Sequence, residues 1–179
     1  MGKHFLHLNF PFDIDMSEMV YREAANQKDE IQLFPINARK INTQLIDVLN
    51  KVGIFVPHAI IFVTQPKAHL FPHSDRAGAK LNVIYGKKGS RMFWWNTTAT
   101  PNYHKTKVHT DYWQVPLDQC KLIESTEIGI TLVDSDAIHS VMNSTNEPRY
   151  ALSINLRDKN GNMIPFLDAA KRLKGFKND

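Results

Sequence analysis

IFVPHAIIFVTQP, residues 54–66, is an apolar, β-branched and aromatic run bounded by Gly53 and Pro66. Stretches of the same texture follow it: AHLFPHSD (68–75), AKLNVIYG (79–86), RMFWWN (91–96), DYWQVP (111–116), GITLVDSDAIHSVMN (129–143) and RYALSINLRD (149–158). Short runs of this size, punctuated by turn residues, predict an antiparallel sandwich or jelly roll. Upstream the texture is helical. MSEMVYREAANQK (16–28) predicts a short helix, and NARKINTQLIDVLNKVG (37–53) a longer one with Ile41, Leu45, Val48, Leu49 and Val52 on one face. Asn37 is placed to cap that helix and Gly53 to stop it. FLDAAKRLKGF (166–176) predicts a closing helix. The expected architecture is mainly β with flanking helices, one domain over 1–179. In it, residues 1–53 form a mostly helical N-terminal support, 54–158 the β core, and 159–179 a C-terminal helix and tail.

Composition narrows the chemistry. The chain has 179 residues, 42% of them hydrophobic, enough for a single buried core. One cysteine, Cys120, excludes an internal disulfide and thiolate-rich metal sites, and points to a reducing, cytoplasmic setting. The opening MGKHFLHLNFPFDID has no unbroken apolar stretch of the kind a secretory leader needs, and Leu6 stands where a myristoylation signal has Ser or Thr. No segment approaches the roughly 20 apolar residues of a membrane span. A formal charge of +4 leans basic, which fits an ordinary solvated surface and leaves a nucleic-acid partner open but not favoured.

Eight histidines are present. His4, His7, His58, His104 and His109 read as surface or satisfied side chains. His69 and His73 have the i, i+4 spacing of a helical zinc pair, but Pro72 between them opposes a helix. His73 and Asp75 in FPHSDR (71–76) are two residues apart, so a strand would point both the same way. An isolated His-x-Asp is common, and a hydrogen-bonded turn before Arg76 and Gly78 is its competing reading. A third ligand is required, and His139, late in the second strand-like run, is the candidate. Two histidines and one carboxylate on one face of a metal are the facial triad of non-haem Fe(II) oxygenases, with coordination positions left open. A bidentate 2-oxo acid and dioxygen would fill those positions. A cosubstrate such as 2-oxoglutarate has a distal carboxylate that needs a fixed cation, and Arg149, ten residues beyond His139 across the turn-rich SVMNSTNEP, answers that need.

With HSD at 73–75, AIHSVMN at 137–143, PRYALSINLR at 148–157 and KLNVIYG after the first motif, the chain resembles the Fe(II)- and 2-oxoglutarate-dependent oxygenases. Their core is a double-stranded β-helix, a jelly-roll or cupin-like barrel, and the layout is most similar to the aspartyl/asparaginyl and prolyl hydroxylase kind. The resemblance covers about residues 55–157. It implies that His73, Asp75 and His139 hold iron and that Arg149 pairs with 2-oxoglutarate. Many members place a serine two residues after the arginine, where this chain has Ala151. Tyr85, Asn82, Ser153 or Thr131 could then supply the second donor to the cosubstrate, and Asn82 is preferred because an amide facing the core needs a partner. An outward-facing Asn82 at a sheet edge is the competing reading.

The block RMFWWN offers Phe93, Trp94 and Trp95 to a substrate mouth, although core packing is the more frequent fate of at least two of them. Residues 96–112 read as a long polar loop, the expected place for substrate contacts. Arg157 shares strand parity with Arg149, so it faces either the cavity or the surface. The function expected is hydroxylation of a peptide side chain or small amino-acid-like molecule. Nucleic-acid dealkylation by the same chemistry, or a non-catalytic jelly roll binding a sugar or another divalent metal, are the alternatives. The oligomeric state is not specified by the sequence.

Overall fold

A computed structural model describes residues 3–14, 31–37, 41–85, 88–106 and 111–178. Its strands are β1 (Phe5–His7), β2 (Ile31–Asn37), β3 (His58–Thr64), β4 (His73–Ser74), β5 (Ala79–Tyr85), β6 (Ser90–Thr97), β7 (Asn102–Lys105), β8 (Asp111–Gln114), β9 (Cys120–Glu127), β10 (Ile130–Asp134), β11 (His139–Asn143) and β12 (Arg149–Asn155). Two helices accompany them, α1 (Thr43–Lys51) and α2 (Phe166–Arg172). The strands form two six-stranded antiparallel sheets in the orders β1-β10-β5-β12-β3-β2 and β7-β8-β4-β11-β6-β9. From β3 onward the chain steps between sheets: β3, β5, β10 and β12 lie in the first, β4, β6, β9 and β11 in the second. That interleaving is a double-stranded β-helix of the jelly-roll type, extended at its edges by β1, β2 and the β7–β8 hairpin.

Period-2 alternation gives the first sheet two buried faces of opposite character. On its outer face Ala59, Ile61, Val63, Leu81, Val83, Leu132, Leu152 and Ile154 pack with Leu45 and Leu49 of α1 and Phe166, Ala169 and Ala170 of α2. This is the main core. On the inner face, toward the second sheet, β5 presents Lys80 and Asn82 and β12 presents Arg149, Ala151 and Ser153. A smaller apolar cluster of Met92, Trp94, Ile128, Val133 and Val141 fills part of the space between the sheets. The polar remainder is where the site lies.

Several expectations are corrected. The helix expected over 37–53 begins at Thr43, because Asn42 accepts the Leu45 N–H at 3.0 Å and caps it; Asn37 ends β2 opposite His58. Gly53 does stop it, at φ +74°. Ile41, Leu45 and Leu49 are buried as the stripe required, with Val48 and Val52 packed against the core. The described part of 1–53 is therefore not mostly helical: β1 and β2 extend the first sheet by pairing with β10 and β3. The helix expected over 16–28 lies outside the described residues. GITLVDSDAIHSVMN is two strands, β10 and β11, on opposite sheets. The loop expected over 96–112 contains most of the β7–β8 hairpin instead, with residues 107–110 outside the described set. CKLIESTE, unassigned from sequence, is β9, whose exposed Leu122 and Ile123 disguise its period. The closing helix is present as α2. Among the described residues no helix is long and apolar enough to cross a membrane.

Candidate metal centre

His73 opens β4 and His139 opens β11, and these antiparallel strands pair with the two histidines directly opposite each other. Their rings lie 4.4 Å apart, centroid to centroid. Asp75 follows β4 by one residue. Its Oδ1 is 3.6 Å from His73 Nε2 and its Oδ2 3.6 Å from His139 Nε2. One donor atom from each of the three lies within 4.8 Å of the others. Cis ligands of an octahedral ion with bonds of about 2.1 Å are about 3.0 Å apart, so the donors would draw together from separations of up to 4.8 Å to close the set around a metal.

The neighbouring backbone orients these donors. The imidazole Nδ1 atoms of His73 and His139 are bonded to the carbonyls of Phe71 (2.7 Å) and Ala137 (2.9 Å), which act only as acceptors. Each Nδ1 therefore carries the proton, and each Nε2 lone pair faces the centre, the arrangement metal-ligating histidines use. The Asp75 N–H donates to Ser135 O at 3.0 Å, and the Gly78 N–H donates to the Asp136 carboxylate at 2.8 Å. Ser135 Oγ donates in turn to Gly78 O at 2.8 Å. Gly78 has φ +67°, and a Cβ there would stand 2.6 Å from Ile164 O. The other aspartates of the TLVDSDAIH stretch are thus engaged structurally: Asp136 holds this loop, and Asp134 accepts from the Asp136 and Ala137 N–H groups and contacts His4 Nδ1 at 3.1 Å.

The ligand side chains have unlike electrostatic surroundings. Desolvation alone would raise the Asp75 carboxyl; Lys80, then His73 and His139, overcome it and hold it well below the usual carboxylate range. Burial, and then His73, lower the His139 imidazole to about 3. His139 is neutral at ordinary pH, so Lys80 is the dominant cation facing Asp75, with Nζ 2.6 Å from Oδ2 and only 5% of the residue exposed. Neutral imidazoles and an ionised carboxylate are the forms that bind metal.

The centre opens on a cavity of about 50 Å³ between the sheets, lined by Phe62, Thr64, Leu70, Lys80, Asn82, Met92, Val133, Ser135, Val141, Arg149, Ala151 and Ser153 besides the three ligand candidates. Arg149 begins β12 and is 5% exposed. Its Nε has no hydrogen-bond partner, and no carboxylate among the described residues pairs with it. Desolvation lowers its guanidinium to about 10. Asn143, fully buried, builds the turn that delivers it: its Nδ2 donates to the carbonyls of Thr64, Gln65 and Glu147, and its Oδ1 accepts from the Thr145 N–H and hydroxyl.

Asn82 faces this cavity, 8% exposed, with its Oδ1 unpaired. Ser153 lies opposite it on β12. Tyr85 and Thr131 are engaged elsewhere, Tyr85 donating to Ile14 O and Thr131 bonded to His7. Arg157 turns away and donates to Gly161 O at 2.6 Å. Of the aromatic residues in RMFWWN, Trp94 is fully buried, its Nε1 donating to Asp134 O; Phe93 and Trp95 stack half-buried on the opposite face of β6. The aromatic side chains beside the centre belong to the hairpin instead. Tyr112 meets His73 edge-on at 6.0 Å and stacks with His104, while the Arg76 guanidinium lies 4.2 Å over Trp113.

Sequence reasoning missed Lys80, Asn143 and Tyr112. Lys80 carried a signal, since it shares a face with Asn82 in an otherwise apolar strand.

No protein-family model and no curated protein matches the chain. Among solved structures it is similar to an oxalate oxidase in complex with glycolate (12% identity, TM-score 0.43, 86% of this chain and 74% of that one). It is also similar to Peruvianin-I, a cysteine peptidase from Thevetia peruviana latex (13%, 0.42, 85% and 87%), and to oxalate decarboxylase from Bacillus subtilis (12%, 0.40, 82% and 29%). The fold assignment rests on the strand order of this chain.

Proposed function

We propose that this protein is an Fe(II)- and 2-oxoglutarate-dependent dioxygenase that hydroxylates a peptide side chain or a small amino-acid-like substrate. The observation that carries the reading is a pairing of two features in one cavity. A two-histidine, one-carboxylate donor set lies on one wall, and a buried arginine without an anionic partner among the described residues lies on the other. An unpaired buried guanidinium is costly, and a carboxylate ligand is its natural complement.

In this reading His73, Asp75 and His139 hold the metal. Bound iron(II) supplies the redox chemistry by which one dioxygen converts 2-oxoglutarate to succinate and CO2 and inserts the second oxygen atom into a substrate C–H bond. The chain's own contribution is positioning. The carbonyls of Phe71 and Ala137 fix the histidine tautomers, and Ser135 and Asp136 fix the Asp75 loop. Arg149 takes the distal carboxylate, with Asn82 and Ser153 as the neighbouring polar groups. Leu70, Met92, Val133 and Val141 keep the chamber apolar around the reacting end. A cavity of about 50 Å³ has room for roughly three to five waters, so the cosubstrate replaces them and displaces flexible side chains such as Met92. The β7–β8 hairpin beside His73 supplies the substrate contacts.

The test is succinate release from 2-oxoglutarate by the iron-loaded protein, screened against amino acids, peptides and alkylated oligonucleotides. Asp75→Ala abolishes it; unchanged turnover in that variant refutes the ligand assignment. One observation favours a second reading, nucleic-acid dealkylation: Arg76 over Trp113 and His104 on Tyr112 form a cationic, aromatic edge of the kind that stacks bases. Binding to single-stranded oligonucleotides that weakens steeply with salt distinguishes it.

A further inference from the structure

Lys80 is not required by the reading above, yet it is the cation nearest the ligand set. Its Nζ lies 2.6 Å from Asp75 Oδ2, the oxygen that is also 3.6 Å from His139 Nε2. It is buried at the start of β5, and its ion pair with Asp75 is complete within the protein. A divalent ion accepted by Asp75 becomes a close neighbour of a buried ammonium and takes over the negative charge that balanced it. Arg149, on the same cavity, adds a second buried cation with no anion of its own among the described residues. The chamber then has an excess of positive charge that only an incoming anion relieves. At these separations the repulsion between a divalent ion and an ammonium exceeds what one oriented hydrogen bond to Asp75 contributes.

We infer that Lys80 is a resident competitor for the metal, which keeps the affinity for a divalent cation low until a dianionic 2-oxo acid binds with it. Metal and cosubstrate thus bind as a coupled pair, each tightening the other by the same factor. The inference names a positioning residue and rests on the proposed oxygenase reading. Lys80 acts through Asp75 and through the charge of the chamber, whatever substrate follows.

The test measures Mn(II) binding to the full chain by titration calorimetry, with and without saturating 2-oxoglutarate, in wild type, Lys80→Met and Lys80→Arg. Lys80→Met is expected to bind Mn(II) alone at least about tenfold more tightly, and the factor by which 2-oxoglutarate tightens Mn(II) is expected to fall at least about fivefold. Lys80→Arg, which retains the charge, stays within about threefold of wild type. Circular dichroism checks folding, and Lys80→Gln, neutral but still able to donate to Asp75, gives the same reading should the methionine variant not fold. Equal or weaker Mn(II) affinity in the neutral variants, or an undiminished effect of 2-oxoglutarate in them, overturns the role of Lys80 and leaves the oxygenase reading standing. A wild-type protein that binds Mn(II) with no response to 2-oxoglutarate overturns the oxygenase reading itself.

Discussion

Replacing Arg149 with methionine separates a functional arginine from a structural one. In the ligand-free protein Arg149 is buried with its Nε unpaired, and desolvation lowers its guanidinium to about 10. At about 1.4 kcal/mol per pKa unit, that fall corresponds to about 3 kcal/mol of charge burial that the fold tolerates. Methionine fills similar volume without charge, and replacing buried ionic groups with well-packed hydrophobic ones is often neutral or stabilises by about 1–4 kcal/mol. Lost packing offsets part of this, so Arg149→Met is expected to raise the stability of the ligand-free protein by about 2 kcal/mol, or about 4–8 °C in melting temperature. The order reverses with ligand. At a hundredfold excess over Kd, 2-oxoglutarate with Mn(II) stabilises wild type by about 2.7 kcal/mol and the variant by far less. Urea denaturation with and without ligands reads both effects. An Arg149→Met protein less stable than wild type, together with undiminished stabilisation by 2-oxoglutarate, refutes the reasoning.

Other outcomes follow from the same geometry. Asp75→Ala removes the carboxylate from the donor set, so equilibrium dialysis with Mn(II) should fall from one ion per chain to none at concentrations that saturate wild type. Gly78→Ala places a Cβ 2.6 Å from Ile164 O at φ +67° and should cost about 1–3 kcal/mol in urea denaturation. Asn143→Ala leaves the carbonyls of Thr64, Gln65 and Glu147 without this donor, with an expected loss of about 2–3 kcal/mol in the same assay and weaker 2-oxoglutarate binding. Burial lowers the pKa of His7, His58, His69 and His139, so below about pH 6.5 the unfolded chain takes up protons that the fold resists. The metal-free protein should therefore have a lower urea midpoint at about pH 5.5 than at about pH 7.5, where histidines are the side chains that titrate.

The β core was legible because its strands carry turn residues at their ends and β-branched residues within. The four positions 73, 75, 139 and 149 were legible because their residue types have a shared chemistry at a recognisable spacing, and the cavity gathers all four. What escaped depends on long-range pairing. β2 contains Pro35 and follows a helical-looking segment, and it is a strand only because it docks on β3. The polar strand β7 reads as a loop because it is exposed throughout, and the place of its hairpin beside β4 is set by the pairing of β8 with His73 and Ser74. Lys80 was missed because its burial comes from β10 and β12 pairing with β5 on either side of it. Asn143 looked like a turn former, and the three carbonyls it collects come from segments up to 79 residues away.

The most direct measurement is an anaerobic crystal structure with Mn(II) and 2-oxoglutarate. The account predicts one ion bound by His73 Nε2, His139 Nε2 and Asp75, chelated by the 2-oxo acid, with the distal carboxylate on Arg149. An ion bound elsewhere, or Arg149 left without the carboxylate while Lys80 still pairs with Asp75 in a metal-free pocket, would contradict it.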